Sequence, residues 1–265
     1  LRFGLATLAL LAVGWRRLGS LGWKGWGAGA LIGLFLLAGY GFQTVGLKYT
    51  TASKAGFITG LSVVIVPLLS ALLLKRLPSV ESVVGVILAV IGLALLMLNQ
   101  ELHIQRGDLI VLGCALSYAL HIVAVSAFAP HMDPLGLTIV QGGTVALASG
   151  AISLFTSNPL PTPAPSTWFA AGFTGVLATA VAFGLQTSMQ RFTTPTHTAL
   201  IFAAEPVFAA VFGVLLAGDV MTNQGIAGGI LIVAGTVASE ISWSRRTGHI
   251  VSRFLGPNYV LVPLI

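Results

Sequence analysis

The sequence predicts an all-α polytopic membrane protein made of two inverted five-helix repeats, with nine of the ten helices present in this chain. Three observations predict it. The 265 residues are 56% hydrophobic and only 8% charged, against roughly 25% charged in a soluble domain, so lipid must cover the surface that polar residues do not. The apolar residues fall into nine runs separated by short polar turns. And the chain matches itself, without a gap, at one fixed offset.

In chain order the predicted spans are 1–14, 25–47, 54–74, 80–98, 107–128, 134–156, 166–189, 196–217 and 222–243. Most have the length and apolar character that a bilayer crossing needs. The breaks carry turn chemistry: "WRRLGSLGWKG", "KRLPSVE", "NQELHIQRGD", "APHMDP", "NPLPTPAPS" and "AGDVMTNQ". Trp15, Trp23, Trp26, Trp168 and Trp243 lie near span ends, as interfacial anchors do. Residues 241–265 read as a tail, and its "YVLVPLI" end is too short to span.

Orientation follows from the bias of Lys and Arg toward cytoplasmic loops. Alternation puts Arg16, Arg17, Lys24, Lys75, Arg76, Arg191, Arg245, Arg246 and Arg253 on one side. Lys48, Lys54 and Arg106 fall on the other, with Arg2 at its edge. The first side is therefore read as cytoplasmic, together with the C-terminus. This placement accounts for the net charge of +6 without nucleic acid, for which no basic run with interleaved aromatics exists.

The self-match places Gln43-Thr44 on Gln186-Thr187 and Thr50-Thr51 on Thr193-Thr194, an offset of 143 residues. In the same register Gly85, Ile87-Leu88, Val90 and Gly92 fall on Gly228, Ile230-Leu231, Val233 and Gly235. Such spacing marks an internal duplication. It divides the chain into a first repeat at 1–99, lacking its first helix, and a second at 107–240. The span 107–128 has no partner, because its counterpart would lie before Leu1. Five helices per repeat is an odd number, so the second repeat inserts upside down: the Lys48 loop is outside and its counterpart at Arg191 inside. Inverted repeats are a construction device of secondary transporters, with the substrate site near the midplane between the halves.

Several polar residues stand inside these spans. Glu205 lies about ten residues into its span, about 15 Å deep at 1.5 Å per residue, where a charge costs at least about 2.5–3.5 kcal/mol. It therefore faces the bundle interior or a partner, as a proton carrier or as an interhelical hydrogen-bonding group. Pro206 beside it removes a backbone donor and favours a kink, and Pro67 is expected to kink the partner helix. Cys114, Ser117, Tyr118 and His121 share one face of the span 107–128. That face looks toward a pathway or another helix, and His121 titrates in a range that suits proton coupling. Gln43 and Gln186 occupy equivalent positions in the two halves, as gate residues or as interfacial amides. Gln141, with Thr144, is a further intramembrane polar pair. Gly225-xxx-Gly229 has a spacing compatible with a homodimer face.

The run "QRFTTPTHTALIFAAEPVFAAVFGVLLAGDVMTNQGIAGGILIVAGTVASE" (190–240) resembles the C-terminal signature of the drug/metabolite transporter superfamily, specifically its EamA-type exporters. Its first-half counterpart, "YTTASKAGFITGLSVVIVPLLSALLLKRLPSVESVVGVILAVIGLALL" (49–96), resembles the matching part of the first EamA repeat. The resemblance implies ten helices, two EamA repeats, a bacterial cytoplasmic (inner) membrane and efflux of small metabolites. The family usually carries Gly-Glu between the last two helices of each repeat. Here those positions read Gly218-Asp219 and Lys75-Arg76.

The expected function is a secondary transporter that exports small metabolites, amino acids or drugs by alternating access, with protons as coupling ion. The alternatives are an intramembrane enzyme and a truncated, non-transporting membrane protein. No Gly-x-Ser-x-Gly elbow, His-Glu-x-x-His pair or Walker lysine favours catalysis. The single cysteine, Cys114, allows no intrachain disulfide and no multi-cysteine metal site. No metal or other cofactor is expected.

Overall fold

The computed structural model describes residues 1–97, 105–155, 164–218 and 220–255, and the side chains of all of these except Ala217 and 240–255. Among the described residues nine helices occupy the predicted spans: α1 (Arg2–Gly14), α2 (Gly22–Gly46), α3 (Ala52–Leu74), α4 (Val80–Met97), α5 (Arg106–Phe128), α6 (Pro134–Phe155), α7 (Pro165–Gln190), α8 (Pro195–Leu216) and α9 (Asn223–Leu255). No strand occurs among the described residues. Helices α2 to α8 are long and apolar enough to cross a membrane, whereas α1, with 13 residues, is shorter. Helix α9 continues to Leu255, past the predicted end at 243, so part of the expected tail is helical. Asp219 and residues 256–265 lie outside the described residues, as do the side chains of Trp243, Arg245, Arg246 and Arg253.

The helix ends follow from local chemistry. Thr51 caps α3 by accepting from the Lys54 N–H at 3.3 Å, and Thr194 caps α8 by accepting from the His197 N–H at 3.2 Å. These caps are 143 residues apart, so the duplication extends to single hydrogen bonds. Gln105 and Asp108 form a reciprocal capping box at the start of α5, and Thr50 Oγ1 donates to Asp108. Asp108 is thus the third helical residue of α5.

Each half contains one broken helix, which hydropathy alone had joined into a single span. Helix α3 breaks at Leu61, between Ala52–Gly60 and Ser62–Leu74. Helix α8 breaks at the equivalent Ala204, between Pro195–Ala203 and Glu205–Phe212. In α8, Pro206 has no N–H to give to Phe202 and fits the first turn of a new helix. In α3 the break falls between Gly60, a weak helix former, and Pro67, which cannot donate to Val63. Helix α7 carries a π-helical stretch over Val176–Val181.

Packing makes α5 the central column: 61% of its apolar window is buried, against 22% in α3 and α8 and 17% in α7. Val63, Val66, Leu93, Ile122, Leu200 and Ile232 interlock α3, α4, α5, α8 and α9. Large outward side chains such as Leu72, Phe155, Phe208 and Leu215 are more than half exposed, as lipid-facing residues are. Between α4 and α9 the backbones touch. A β-carbon at Gly92 would lie 2.5 Å from the Gly228 carbonyl oxygen, and one at Gly85 2.7 Å from the Gly235 oxygen. Exchanging the halves maps each contact onto the other, so this antiparallel seam is an approximate two-fold. Gly225 and Gly229, compatible in sequence with a dimer face, are buried within the chain against Leu96 and Val207.

The turns after α3 and α8 carry the same left-handed backbone with different residues. Gly218 has φ 75°, and Lys75 at the equivalent place has φ 55°. A β-carbon makes this conformation costly, by roughly 1–2 kcal/mol. Lys75→Gly is therefore expected to stabilise the protein by about 1 kcal/mol after glycine's own entropy cost. The thermal midpoint of the detergent-solubilised protein should rise; an unchanged or lowered midpoint would contradict the strain.

Candidate functional site

The two helix breaks open onto one cavity of about 460 Å³, in the range of small-molecule sites. The 143-residue offset organises its wall. Tyr40 and Phe183, Gln43 and Gln186, Thr59 and Phe202, Gly60 and Ala203, and Ser62 and Glu205 are equivalent pairs, and all ten residues line it. The cavity therefore lies on the seam between the halves. Helix α5 supplies Tyr118 and His121, and α1 supplies Arg2.

Among the described residues Glu205 is the sole carboxylate on the wall. It opens the second segment of α8, where free backbone N–H groups and the helix dipole favour negative charge. Its side chain is exposed to the cavity and makes no hydrogen bond or ion pair with a described residue. Interhelical hydrogen bonding, one of the two roles read from the sequence, is thus absent from the described contacts. Ser62 takes the same place at the start of the second segment of α3. Equivalent helix ends thus present an acid on one side of the cavity and a hydroxyl on the other.

The cationic wall is Arg2. Its Nη2 donates to the Ala178 carbonyl at 3.0 Å and its Nε to Thr179 Oγ1, which ties α1 to the π-helical stretch of α7. The guanidinium also lies 5.5 Å from the centre of the Tyr40 ring. Tyr40 meets Tyr118 edge to face at 5.6 Å, and His121 meets Phe183 at 5.8 Å, which makes an aromatic collar. Tyr118 Oη donates to Gln43 Oε1 at 3.4 Å.

Behind the collar two amide relays run into the packed helices. His121 Nε2 lies 3.1 Å from Gln141 Oε1, and Gln141 Nε2 donates to Thr187 Oγ1 at 3.2 Å. Gln186 Nε2 donates to Gln190 Oε1 at 3.2 Å. Gln190 Nε2 in turn donates to the Ile122 carbonyl at 2.6 Å and to Ser126 Oγ at 2.7 Å. His121, Gln141, Thr187 and Gln190 are all buried. Low dielectric strengthens such satisfied networks and holds the collar rigid.

The structure thus gathers five of the seven residues singled out in sequence, Glu205, His121, Tyr118, Gln43 and Gln186, on one wall. Gln43 and Gln186, read from the sequence as gate residues or as interfacial amides, share this cavity. Gln141 stands one layer back, as the partner of His121. Ser117 is not on the wall: its hydroxyl donates to the Gly113 carbonyl of its own helix at 2.7 Å. Cys114 contacts Thr59 at 3.6 Å. Sequence reasoning missed Arg2, Tyr40, Ser62 and Phe183. The offset applied to Glu205 points to Ser62, and the Gln43–Gln186 pair leads one turn back to Tyr40 and Phe183. Among the described residues no group of three or more His, Cys, Asp or Glu side chains is placed to hold a metal.

Comparisons with known proteins agree with this architecture. The EamA-like transporter family model matches residues 1–98 and 105–239. An uncharacterized transporter of Archaeoglobus fulgidus is 33% identical over 216 residues, covering 81% of this chain and 69% of that protein. The uncharacterized transporter YyaM of Bacillus subtilis is 26% identical over 221 residues, covering 79% of this chain and 70% of its own. A solved structure described only as the crystal structure of a protein matches with a TM-score of 0.77 at 22% identity, over 93% of this chain and 86% of that one, which speaks to the fold alone. With its apolar multi-helix body, its seam cavity and these matches, the chain belongs to the EamA-like transporter family.

Proposed function

We propose that this membrane transporter exports small metabolites, amino acids or drugs by alternating access, coupled to protons, across a bacterial inner membrane with its C-terminus cytoplasmic. In this reading residues 1–99 and 107–240 are the two inverted repeats and 241–265 the cytoplasmic tail. One observation carries it: a single cavity on the seam, lined by pairs of residues from both halves, with one unpaired carboxylate at a helix break. Discontinuous helices at a repeat interface are where secondary transporters bind substrate and coupling ion.

The wall chemistry narrows the substrate. Glu205 attracts an amine, and the faces of Tyr40, Tyr118, Phe183 and Phe202 accept an apolar body or a cation over the ring. Arg2 and the Ser62 helix end suit a carboxylate. A zwitterionic amine with an apolar side group satisfies all three. In everted vesicles carrying the protein, adding such amines is expected to release protons from the lumen, recorded with a pH-sensitive dye. Absence of any signal over a broad panel of amino acids and drugs would overturn proton-coupled export.

A further inference from the structure

A second cavity, of about 170 Å³, lies away from the seam site, where the turn between α3 and α4 meets the start of α8 and the side of α9. It is large enough to hold a phosphate-sized group. Its lining differs in kind from that of the first cavity. Hydroxyls converge on it from four helices, and among the described residues one guanidinium and one imidazole join them and no carboxylate takes part.

The donors are held in place. Ser79 caps α4 by accepting from the Ser82 N–H at 3.2 Å, and Thr194 caps α8. The first turns of both helices thus border the same space, and their backbone dipoles favour an anion there. The Ser82 and Ser239 hydroxyls, 3.3 Å apart, bridge α4 to α9 on its wall. Arg76 is brought to the rim by the left-handed Lys75: its N–H donates to the Ser70 carbonyl at 3.2 Å, which folds the turn back over the cavity. His197 also lines it and is buried.

The observation that points to a ligand is Thr196. It is 3% exposed and lines this cavity, yet its hydroxyl makes no hydrogen bond among the described residues. That hydroxyl is free to donate to a ligand in the cavity. A free hydroxyl able to donate, further hydroxyls beside it and a cation at the rim together suit a tetrahedral oxyanion. We propose that this cavity is a phosphate-binding site, filled either by a free phosphate ion or by the phosphate of an anionic lipid headgroup. The charges assign this end to the cytoplasmic leaflet, where anionic lipid is available. A bound anion joins α3, α4, α8 and α9 at one end of the bundle, independently of what the seam cavity carries.

The test uses the purified, lipid-depleted full chain in detergent. Inorganic phosphate is expected to raise its thermal midpoint in a saturable way, with an apparent affinity reduced about tenfold or more in Arg76→Gln, as loss of a charge-assisted bond requires. Thr196→Val, which keeps the shape and removes the hydroxyl, should weaken the response while leaving the phosphate-free midpoint unchanged. Native mass spectrometry with phosphatidylglycerol against phosphatidylcholine separates the sources. Arg76-dependent retention of phosphatidylglycerol without a phosphate response assigns the lipid, and the reverse assigns the free ion. The proposal is overturned if neither probe binds, or if both variants respond as the wild type does. Neither readout depends on transport.

Discussion

Leucine at Gly92 or at Gly228 is expected to remove most of the folded protein from detergent extracts, with an equal loss at the two positions. The reason lies in what a side chain would meet. A β-carbon at Gly92 would stand 2.5 Å from the Gly228 oxygen and 2.9 Å from the Ile232 nitrogen. One at Gly228 would stand 2.5 Å from the Gly92 oxygen and 2.7 Å from the Leu96 nitrogen. These are backbone atoms inside helices and cannot rotate away, so α4 and α9 must separate along their length. Within lipid no hydrophobic gain draws the helices back together, since association rests on close packing itself. Overpacking of this kind costs about 1–3 kcal/mol in soluble cores, and separation of a glycine-lined backbone contact belongs at or beyond the upper end. Gly27, which has nothing within 4 Å of a built β-carbon, is the control: Gly27→Ala should be neutral or slightly stabilising. Fluorescence-detected size exclusion reads the folded fraction, and thermal midpoints give the ranking. Wild-type behaviour of Gly92→Leu would contradict the close approach, and a large difference from Gly235→Leu, its equivalent in the other half, would contradict the two-fold.

Much of this seam was legible before any coordinates. Gly85 and Gly92 matched Gly228 and Gly235 in register, and a repeat that preserves glycine spacing preserves a place where backbones meet. The apolar spans were legible because bilayer length imposes itself on composition. The breaks at Leu61 and Ala204 were not, since one turn of altered backbone leaves a hydropathy profile unchanged. Pro206 gave a local reason for a kink in α8. In α3 the only proline, Pro67, lies six residues past the break and would have misplaced it. The site was half legible for a similar reason. A polar face on α5 located Tyr118 and His121, and duplication located Gln43 and Gln186. Arg2 was read as an edge charge, because only the packed position of α1 against α7 aims its guanidinium inward. Ser117 stood on the right face of α5, but a hydroxyl bonded to its own backbone is invisible to periodicity.

Glu205→Gln is expected to abolish substrate-dependent proton release in everted vesicles, a fall of more than tenfold, while leaving the fold intact. Glutamine has the shape of glutamate and keeps its hydrogen-bonding oxygen, but it neither titrates nor carries charge. Glu205 makes no hydrogen bond or ion pair with a described side chain, so the substitution removes no partner from the packing. It also removes the charge that the helix end at Ala204 favours, an effect of about 0.3–1 kcal/mol, too small to unfold the bundle. A structural residue and a coupling residue therefore separate cleanly here. If Glu205 carries the proton, the signal disappears at an unchanged thermal midpoint, and Glu205→Asp restores part of it. If Glu205 only shapes the α8 break, Gln preserves the signal, and the coupling must run through His121 and its Gln141 partner, the next titratable wall of the same cavity. Ser62→Ala completes the comparison. It alters the equivalent helix end in α3 without touching an acid, so it should shift the substrate concentration needed for half-maximal release and leave the maximal proton signal in place. Loss of the signal in Ser62→Ala as well as in Glu205→Gln would mean that both breaks serve substrate binding and neither residue alone is the proton's site.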